Sequence, residues 1–198
     1  MNKKLIKGEY LDALLRSSQT IFSTKDVALL WGGAEENIIN VRLSSYVKTG
    51  KLIRIRRGLY AKDKNYDKYE LATKILRPSY ISFETVLGAN GLTFQYYSQI
   101  FVASYVKRDL ICNNQKYSFR TIEKSILINP AGIEQDREYS IASKERAFLD
   151  TIYRSKSYHF DNLSPLDWDK VFEILPIYNN KNMIKKVRKY YEYYKADK

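Results

Sequence analysis

The stretch from residue 22 to residue 62 most constrains the fold, because glycines divide it into two short helices and a hairpin. The hydroxyl-rich run after Phe22 is suited to capping a first helix, and Gly32-Gly33 ends that helix with a tight turn. A second helix is predicted from about Ala34 to Thr49, where Gly50 stops it. Two short helices joined by such a turn are typical of helix-turn-helix units.

A basic two-stranded hairpin is predicted directly after the second helix. Isoleucine and arginine alternate from Ile53 to Arg56, the chain turns at Arg57-Gly58, and it returns through residues 59–61. From Arg42 to Lys62 there are several Lys and Arg residues and no Asp or Glu. This order of elements predicts a winged helix-turn-helix whose partner is double-stranded DNA. The alternative is a charged hairpin that only keeps an edge strand soluble.

The second helix is predicted to read bases with the face opposite its apolar stripe, which runs from Ile39 to Val47 at helical spacing. Asn can pair with adenine in bidentate fashion and Ser is a small, adaptable donor, so we predict Asn37, Asn40 and Ser44 as base contacts. The residues predicted to hold the DNA backbone carry hydroxyl or basic groups: Thr24, Lys25, Lys48, Arg54, Arg56 and Arg57.

The overall charge restricts the partners further. The 198-residue chain has a net charge of +12, which suits nucleic acid or an acidic protein surface. No apolar stretch is long enough to span a bilayer, so no membrane partner is predicted. Residues 1–7 are basic but lack the apolar core of a signal peptide, and Cys112 is the only cysteine. We therefore expect a cytoplasmic protein without an internal disulfide.

A second domain is predicted to begin after the polar residues 62–67. The division is residues 1–62 as the winged helix-turn-helix and residues 67–198 as an α+β domain. This domain is expected to place a small sheet among flanking helices, with a helical end from about residue 164. The predicted elements are a helix over residues 69–76, a helix from Ser82, strands over residues 100–103, 117–122 and 125–128, and a helix capped by Ser143.

The last helix of the chain is predicted to carry a second basic face. Its members are Lys181, Lys185, Lys186, Arg188 and Lys189. Two hypotheses are equally supported by the pattern: a further contact to DNA or to an acidic protein, and a solvated helix face without a partner.

Few residues are suited to catalysis, so we predict no catalytic residue, cofactor or metal. His159 is the only histidine and Cys112 the only cysteine, and no Gly-rich loop has phosphate-binding spacing. Scattered acids remain, namely Asp67, Glu70, Glu84 and Asp150. Convergence of these acids on a magnesium ion would make a nuclease. For Asp150, a structural hydrogen bond or a surface position is the favoured interpretation.

Three segments of the sequence resemble the AbiEi family, the antitoxin and transcriptional regulator of type IV abortive-infection toxin–antitoxin systems. The middle segment departs from the family pattern at Asn90, where an aromatic residue or His is more usual. The segments are residues 22–28 with 50–60, residues 69–72 leading to 80–87 and 91–92, and residues 139–150.

The resemblance implies a DNA-binding repressor that acts on repeats in its own promoter. It also implies an antitoxin whose functional partner is a nucleotidyltransferase-like toxin, with direct contact left open, in bacterial defence against phage. RNA binding is a lesser variant of this interpretation, and two alternatives of other kinds remain beside it. One is a protein-interaction module that neutralises an acidic partner and binds DNA incidentally, and the other is a metal-dependent nuclease.

Overall fold

The computed structural model describes residues 8–196, so residues 1–7, where no signal peptide was expected, and residues 197–198 lie outside it. Contacts divide the chain into two compact units, with the boundary between Ile75 and Leu76. Helices and sheets occur in both units, and this confirms the predicted α+β class. Within the described residues, no helix has the length and apolarity needed to cross a membrane.

The first unit alternates helices with short strands. Its elements are α1 (Glu9–Arg16), β1 (Ile21–Ser23), α2 (Thr24–Leu30), α3 (Glu36–Lys48), β2 (Ile53–Arg56), β3 (Leu59–Ala61) and α4 (Lys68–Ile75). The three strands form an antiparallel sheet in the order β1-β3-β2. The helices and sheet bury a core that contains Leu14, Phe22, Val27 and Leu43. Trp31 is also part of this core, and its indole N–H donates to the Tyr10 carbonyl over 2.8 Å.

Local capping explains why α2 has its observed limits. The Ser23 hydroxyl accepts from the Asp26 N–H over 3.1 Å, and the Asp26 carboxylate accepts from the Ser23 N–H over 2.8 Å. This reciprocal pair is a capping box. At the other end Gly32 has a φ of 67°, and its N–H donates to the Leu29 carbonyl. The left-handed conformation favours glycine, so the sequence fixes both ends of α2.

Helix α4 belongs to the first unit, whereas the predicted division had placed it in the second domain. Two buried side chains attach it. The Lys74 ammonium lies 2.7 Å from the Glu70 carboxylate and 3.4 Å from that of Asp26 in α2, and it also donates to the carbonyl of Ile21. Glu70 in turn accepts from the N–H of Thr20 over 2.8 Å. These contacts join residues far apart in sequence, so local patterns do not reveal them.

The second unit is built on a mixed six-stranded sheet in the order β6-β7-β5-β4-β9-β8. Strands β4 and β9 pair in parallel, as do β5 and β7, and the other neighbouring pairs are antiparallel. The strands are β4 (Ser79–Ile81), β5 (Ile100–Ser104), β6 (Arg108–Cys112), β7 (Gln115–Thr121), β8 (Ile133–Asp136) and β9 (Tyr139–Ala142). The helices are α5 (Glu84–Ala89), α6 (Lys124–Leu127), α7 (Lys144–Arg154), α8 (Trp168–Ile174) and α9 (Lys181–Ala196), with a 3₁₀ turn at Leu175–Tyr178.

Most predicted elements of the second unit occur, with three differences. Residues 125–128 were predicted as a strand, but the segment is helical and forms α6. Strands β4, β6, β8 and β9 were not predicted. Strands β6 and β8 lie at the two edges of the sheet, where partial exposure weakens the apolar pattern, and β4 and β9 are only three and four residues long. Helix α8 begins at Trp168 rather than near residue 164, because the Asp167 side chain caps it.

Candidate nucleic-acid interface

Helix α3 presents a polar face to solvent. Ile39 and Leu43 are buried in the core of the first unit, and Tyr46 and Val47 pack against it, as the helical spacing predicts. The side chains predicted to read bases lie on the opposite side, and Asn37, Asn40, Ser44 and Lys48 are all exposed. Val41 is 70% exposed among them, so the face offers an apolar contact beside its amide and hydroxyl groups.

The end of α3 determines where the hairpin begins. Gly50 has a φ of 69°, and its N–H donates to the Val47 carbonyl over 3.1 Å. The N–H groups of Lys51 and Leu52 both donate to the Tyr46 carbonyl, over 2.8 and 3.3 Å. Because Leu52 is also buried in the core, the chain leaves the helix in one defined direction. The turn after α3 therefore sets the direction in which the hairpin begins.

The hairpin departs from the simple alternation of its sequence. Arg54 pairs with Tyr60 and Arg56 with Leu59, so Ile55 is an extra residue in a β-bulge. Arg54 and Arg57 are exposed, whereas Arg56 is half-buried beside the bulge. Bulges change the direction of the side chains that follow them, so the arginines do not share the single face that strict alternation implies.

The two residues at the start of α2 that were predicted to hold the DNA backbone differ in exposure. Lys25 is exposed and Thr24 is half-buried in the first turn of the helix. The carboxylate of Asp26 in the same turn is occupied by the capping box and lies 3.4 Å from the Lys74 ammonium. Its charge is therefore partly balanced inside the protein, which leaves the exposed surface of this turn to Lys25.

Two basic residues of the acid-free segment have structural contacts of their own. The Arg42 guanidinium lies 3.9 Å from the centre of the Tyr10 ring, a cation–π contact. The Lys62 ammonium donates to the carbonyls of Leu15 and Ser17. The side chains that remain for an anionic partner are thus Lys48, Lys51 and the hairpin arginines. A count of charges in the sequence does not distinguish the basic residues with contacts inside the protein from those left for a partner.

The second basic face lies on α9. Lys181, Lys185, Arg188 and Lys189 are exposed, as the face was predicted to be. Lys186 differs, because it is half-buried and its ammonium donates to the Ser155 carbonyl over 3.0 Å. Within residues 8–196, the side chains of the other four predicted members make no comparable hydrogen bond to the backbone.

The acids considered for a metal site are each engaged at separate places. The Asp67 carboxylate accepts from the N–H of Tyr69 over 2.7 Å at the start of α4. Glu70 pairs with Lys74, and Glu84 lies 2.7 Å from the Arg120 guanidinium. Within residues 8–196, no three His, Cys, Asp or Glu side chains are arranged to hold a metal ion. His159 is an exposed side chain 3.7 Å from the Asp161 carboxylate.

Asp150 has a structural environment, which agrees with the favoured interpretation of this residue. It is fully buried and lies 3.2 Å from the Arg146 guanidinium. Its carboxylate also accepts from the hydroxyls of Tyr178 over 2.6 Å, Ser82 over 2.8 Å and Tyr80 over 3.0 Å. Burial, with the negative charge of Asp150 nearby, raises the pKa of both tyrosines well above the usual 10.0. These donors surround the carboxylate and leave it little capacity for a ligand.

Part of the chain matches a known protein family. Residues 9–61 match the family model described as "Transcriptional regulator, AbiEi antitoxin". The match runs from the start of α1 to the end of β3, so it covers α2, α3 and the hairpin. It confirms the AbiEi resemblance over this segment. No curated protein matches the chain.

Proposed function

We propose that the chain is a transcriptional repressor whose first unit is a winged helix-turn-helix that binds double-stranded DNA. The proposal rests mainly on the exposed polar residues of α3 and on the arginines of the hairpin that follows it. Exposed Asn37, Asn40 and Ser44 lie on a helix whose last turn is hydrogen-bonded to the two residues that lead into an arginine-rich hairpin. The segment matched by the regulator family contains all of these residues.

In this proposal α3 enters the major groove. Asn37 and Asn40 each present an amide that can donate and accept at an adenine edge, and Ser44 supplies a smaller contact one turn later. Val41 lies on the same exposed face, where it meets a thymine methyl. These contacts give sequence preference, because each one is lost when its base pair is changed.

The basic residues hold the DNA backbone. Arg54 and Arg57 are the exposed arginines of the hairpin, and Lys25 and Lys48 are exposed on α2 and α3. Thr24 and Arg56 are half-buried and contribute from the edge of the surface. Contacts of this kind fix the register of a protein on duplex DNA and make binding weaken steeply with salt.

The family match and the resemblance of the later segments support a role as the antitoxin of a type IV toxin–antitoxin system in the cytoplasm. The protein represses its own operon by binding repeats in the promoter. Its functional partner is a nucleotidyltransferase-like toxin produced with it, and the proposal does not require the two proteins to form a complex.

Footprinting on the DNA upstream of its own gene, together with a promoter reporter, tests this function. We expect protection of repeated sequences and repression of the reporter. Asn40→Ala is expected to weaken both, and Asn182→Ala, which changes an exposed asparagine on α9, is the matched control. Repression that survives Asn40→Ala and Asn37→Ala together would contradict base reading by α3.

A further inference from the structure

A cleft of about 560 Å³ lies in the second unit beside the C-terminal half of α9. One wall is formed by Tyr190, Tyr193 and Tyr194 of this helix, and the other by the loop that contains His159, Asp161 and Asn162. Most of the surrounding aromatic rings are packed together. Tyr190 contacts Phe160 edge to face at 5.3 Å between ring centres, and Tyr194 lies 5.5 Å from Trp168.

Tyr193 differs from its neighbours because its ring is left in solvent. It is 69% exposed, and within residues 8–196 its side chain makes no hydrogen bond or ring contact. A neighbouring loop, outside the lining of the cleft, carries two more exposed rings, Phe94 at 73% and Tyr96 at 88% exposure. The Phe94 N–H donates to the Asp161 carboxylate over 2.8 Å, which attaches this loop to the cleft. Exposed flat rings such as these are suited to stacking against unpaired bases.

Positive charge continues from this aromatic surface along the helix. Lys185, Lys189 and Tyr193 are spaced four residues apart, so they form one row on α9. Both lysines are exposed, and neither has an ion pair within the described part of the chain. A row of lysines leading to an exposed ring resembles the combination that binds single strands, in which cations follow the phosphates and rings stack on bases.

The polar groups of the cleft favour ribose over phosphate. Asp161 accepts from the Phe94 N–H through one carboxylate oxygen, and its other oxygen is 3.7 Å from His159. A carboxylate repels a phosphate group but accepts readily from a hydroxyl. The 2′-hydroxyl, which deoxyribose lacks, is the donor that distinguishes RNA from DNA.

We propose that this cleft binds single-stranded RNA. An unpaired base stacks on Tyr193, the adjoining phosphates lie along Lys185 and Lys189, and a 2′-hydroxyl donates to Asp161. Phe94 and Tyr96 extend the stacking surface for neighbouring bases. The cleft belongs to the second unit, whereas the duplex-binding surface proposed for α3 belongs to the first, and it gives the basic face of α9 a defined ligand.

Fluorescence anisotropy with the full chain tests the proposal. The probe is a labelled twelve-nucleotide RNA of mixed sequence that cannot pair with itself. We expect Tyr193→Ala to weaken binding by about tenfold, while Tyr193→Phe, which keeps the ring, retains the affinity. Lys185→Gln with Lys189→Gln removes about two phosphate contacts. We therefore expect the slope of log affinity against log salt concentration to become shallower by about 1.4 units. Equal affinity of Tyr193→Ala and the unchanged protein would overturn the proposal.

Matched variants and competitors determine whether the RNA binds in this cleft or elsewhere on the chain. Arg54→Ala with Arg57→Ala is expected to leave RNA binding unchanged, and loss of RNA binding in that variant would place the RNA on the first unit. DNA of the same sequence is expected to bind at least tenfold more weakly, a difference that Asp161→Ala reduces. Equal binding of the DNA strand would overturn the ribose contact and with it the RNA assignment. If polyglutamate of equal charge or duplex DNA displaces the RNA, binding is only electrostatic attraction to a basic surface. That result would overturn the proposal.

Discussion

The backbone N–H of Lys51 donates to the carbonyl of Tyr46 over 2.8 Å, which ties the residue after Gly50 back to the last turn of α3. The bond forms because Gly50 adopts a φ of 69° and reverses the chain. The direction of the hairpin relative to α3 therefore depends on one glycine. If both elements contact one DNA duplex, this glycine matters for binding as well as for folding.

Gly50→Ala is expected to destabilise the first unit by about 1 kcal/mol, because Cβ disfavours the left-handed conformation although no atom lies near enough to clash. Gly88→Ala is the matched control, since this glycine lies inside α5 and a Cβ there meets only the Thr93 hydroxyl at 4.0 Å. Because α5 belongs to the second unit, Gly88→Ala is expected to leave the urea midpoint of the first unit unchanged. Urea denaturation followed by Trp31 fluorescence in a Trp168→Phe background measures the first unit. An unchanged urea midpoint for Gly50→Ala would contradict the claim that the conformation of Gly50 contributes to the stability of the first unit.

Lys74→Ala is expected to cost about 3–5 kcal/mol, because it leaves the buried carboxylates of Glu70 and Asp26 without their shared cation. The same denaturation assay measures this loss. Arg16→Ala is the control: Arg16 pairs with Asp12 at 3.0 Å on the surface, where a pair of this type contributes about 0.3–0.5 kcal/mol. Similar effects of the two substitutions would show that the buried group is not a significant support for α4.

Because of Tyr178, the free energy of unfolding of the second unit is expected to vary with pH in the alkaline range. Its pKa is raised above 10.0 by burial and by Asp150, so above pH 10 the folded state keeps a proton that the unfolded state has lost. The free energy of unfolding therefore falls as pH rises, by up to about 1.4 kcal/mol per pH unit for one such group. Tyr80, whose pKa is raised in the same way, adds to this fall.

Tyr178→Phe is expected to reduce this alkaline slope, and it also costs about 1–3 kcal/mol at neutral pH because Asp150 loses a donor. Urea denaturation between pH 8 and pH 11, followed by Trp168 fluorescence in a Trp31→Phe background, gives both values. Tyr193→Phe changes an exposed ring and serves as the control. A slope that is the same in all three proteins would show that Tyr178 is not the titrating group.

Two arginines of the first unit are predicted to act differently on DNA binding. Arg54→Ala is expected to weaken binding to all duplex sequences and to lower the salt slope by about one unit. Arg42→Ala removes the cation–π contact at 3.9 Å from Tyr10, so it is expected to lower stability while leaving the salt slope unchanged. Anisotropy titrations at several salt concentrations give the slopes. A larger slope change for Arg42→Ala than for Arg54→Ala would reverse the assignment.

Features set by nearby residues could be predicted from the sequence. The Ser23 cap of α2, the glycine ends of α2 and α3, and the Ser143 cap of α7 all follow from side chains within one turn. The same holds for the exposed face of α3, because helical spacing alone separates Asn40 from Ile39.

Features that depend on distant residues could not be predicted in this way. Strand β1 exists because Phe22 pairs with Tyr60, and such a short run carries no strand signal of its own. Burial of Lys74 requires acids from two helices, and the bulge at Ile55 appears only in the pairing with β3. The aromatic cleft beside Tyr193 likewise joins two segments that are distant in sequence, residues 159–164 and residues 190–196.

The most direct test of the central claim is the affinity of the full chain for its own upstream DNA. Fluorescence anisotropy should compare this duplex with a scrambled duplex of equal length at two salt concentrations. A specific repressor is expected to prefer the upstream DNA by about 10³-fold or more, with the preference reduced in Asn40→Ala. Equal and steeply salt-dependent binding to both duplexes would show only that the protein is basic. That result would contradict sequence reading by α3.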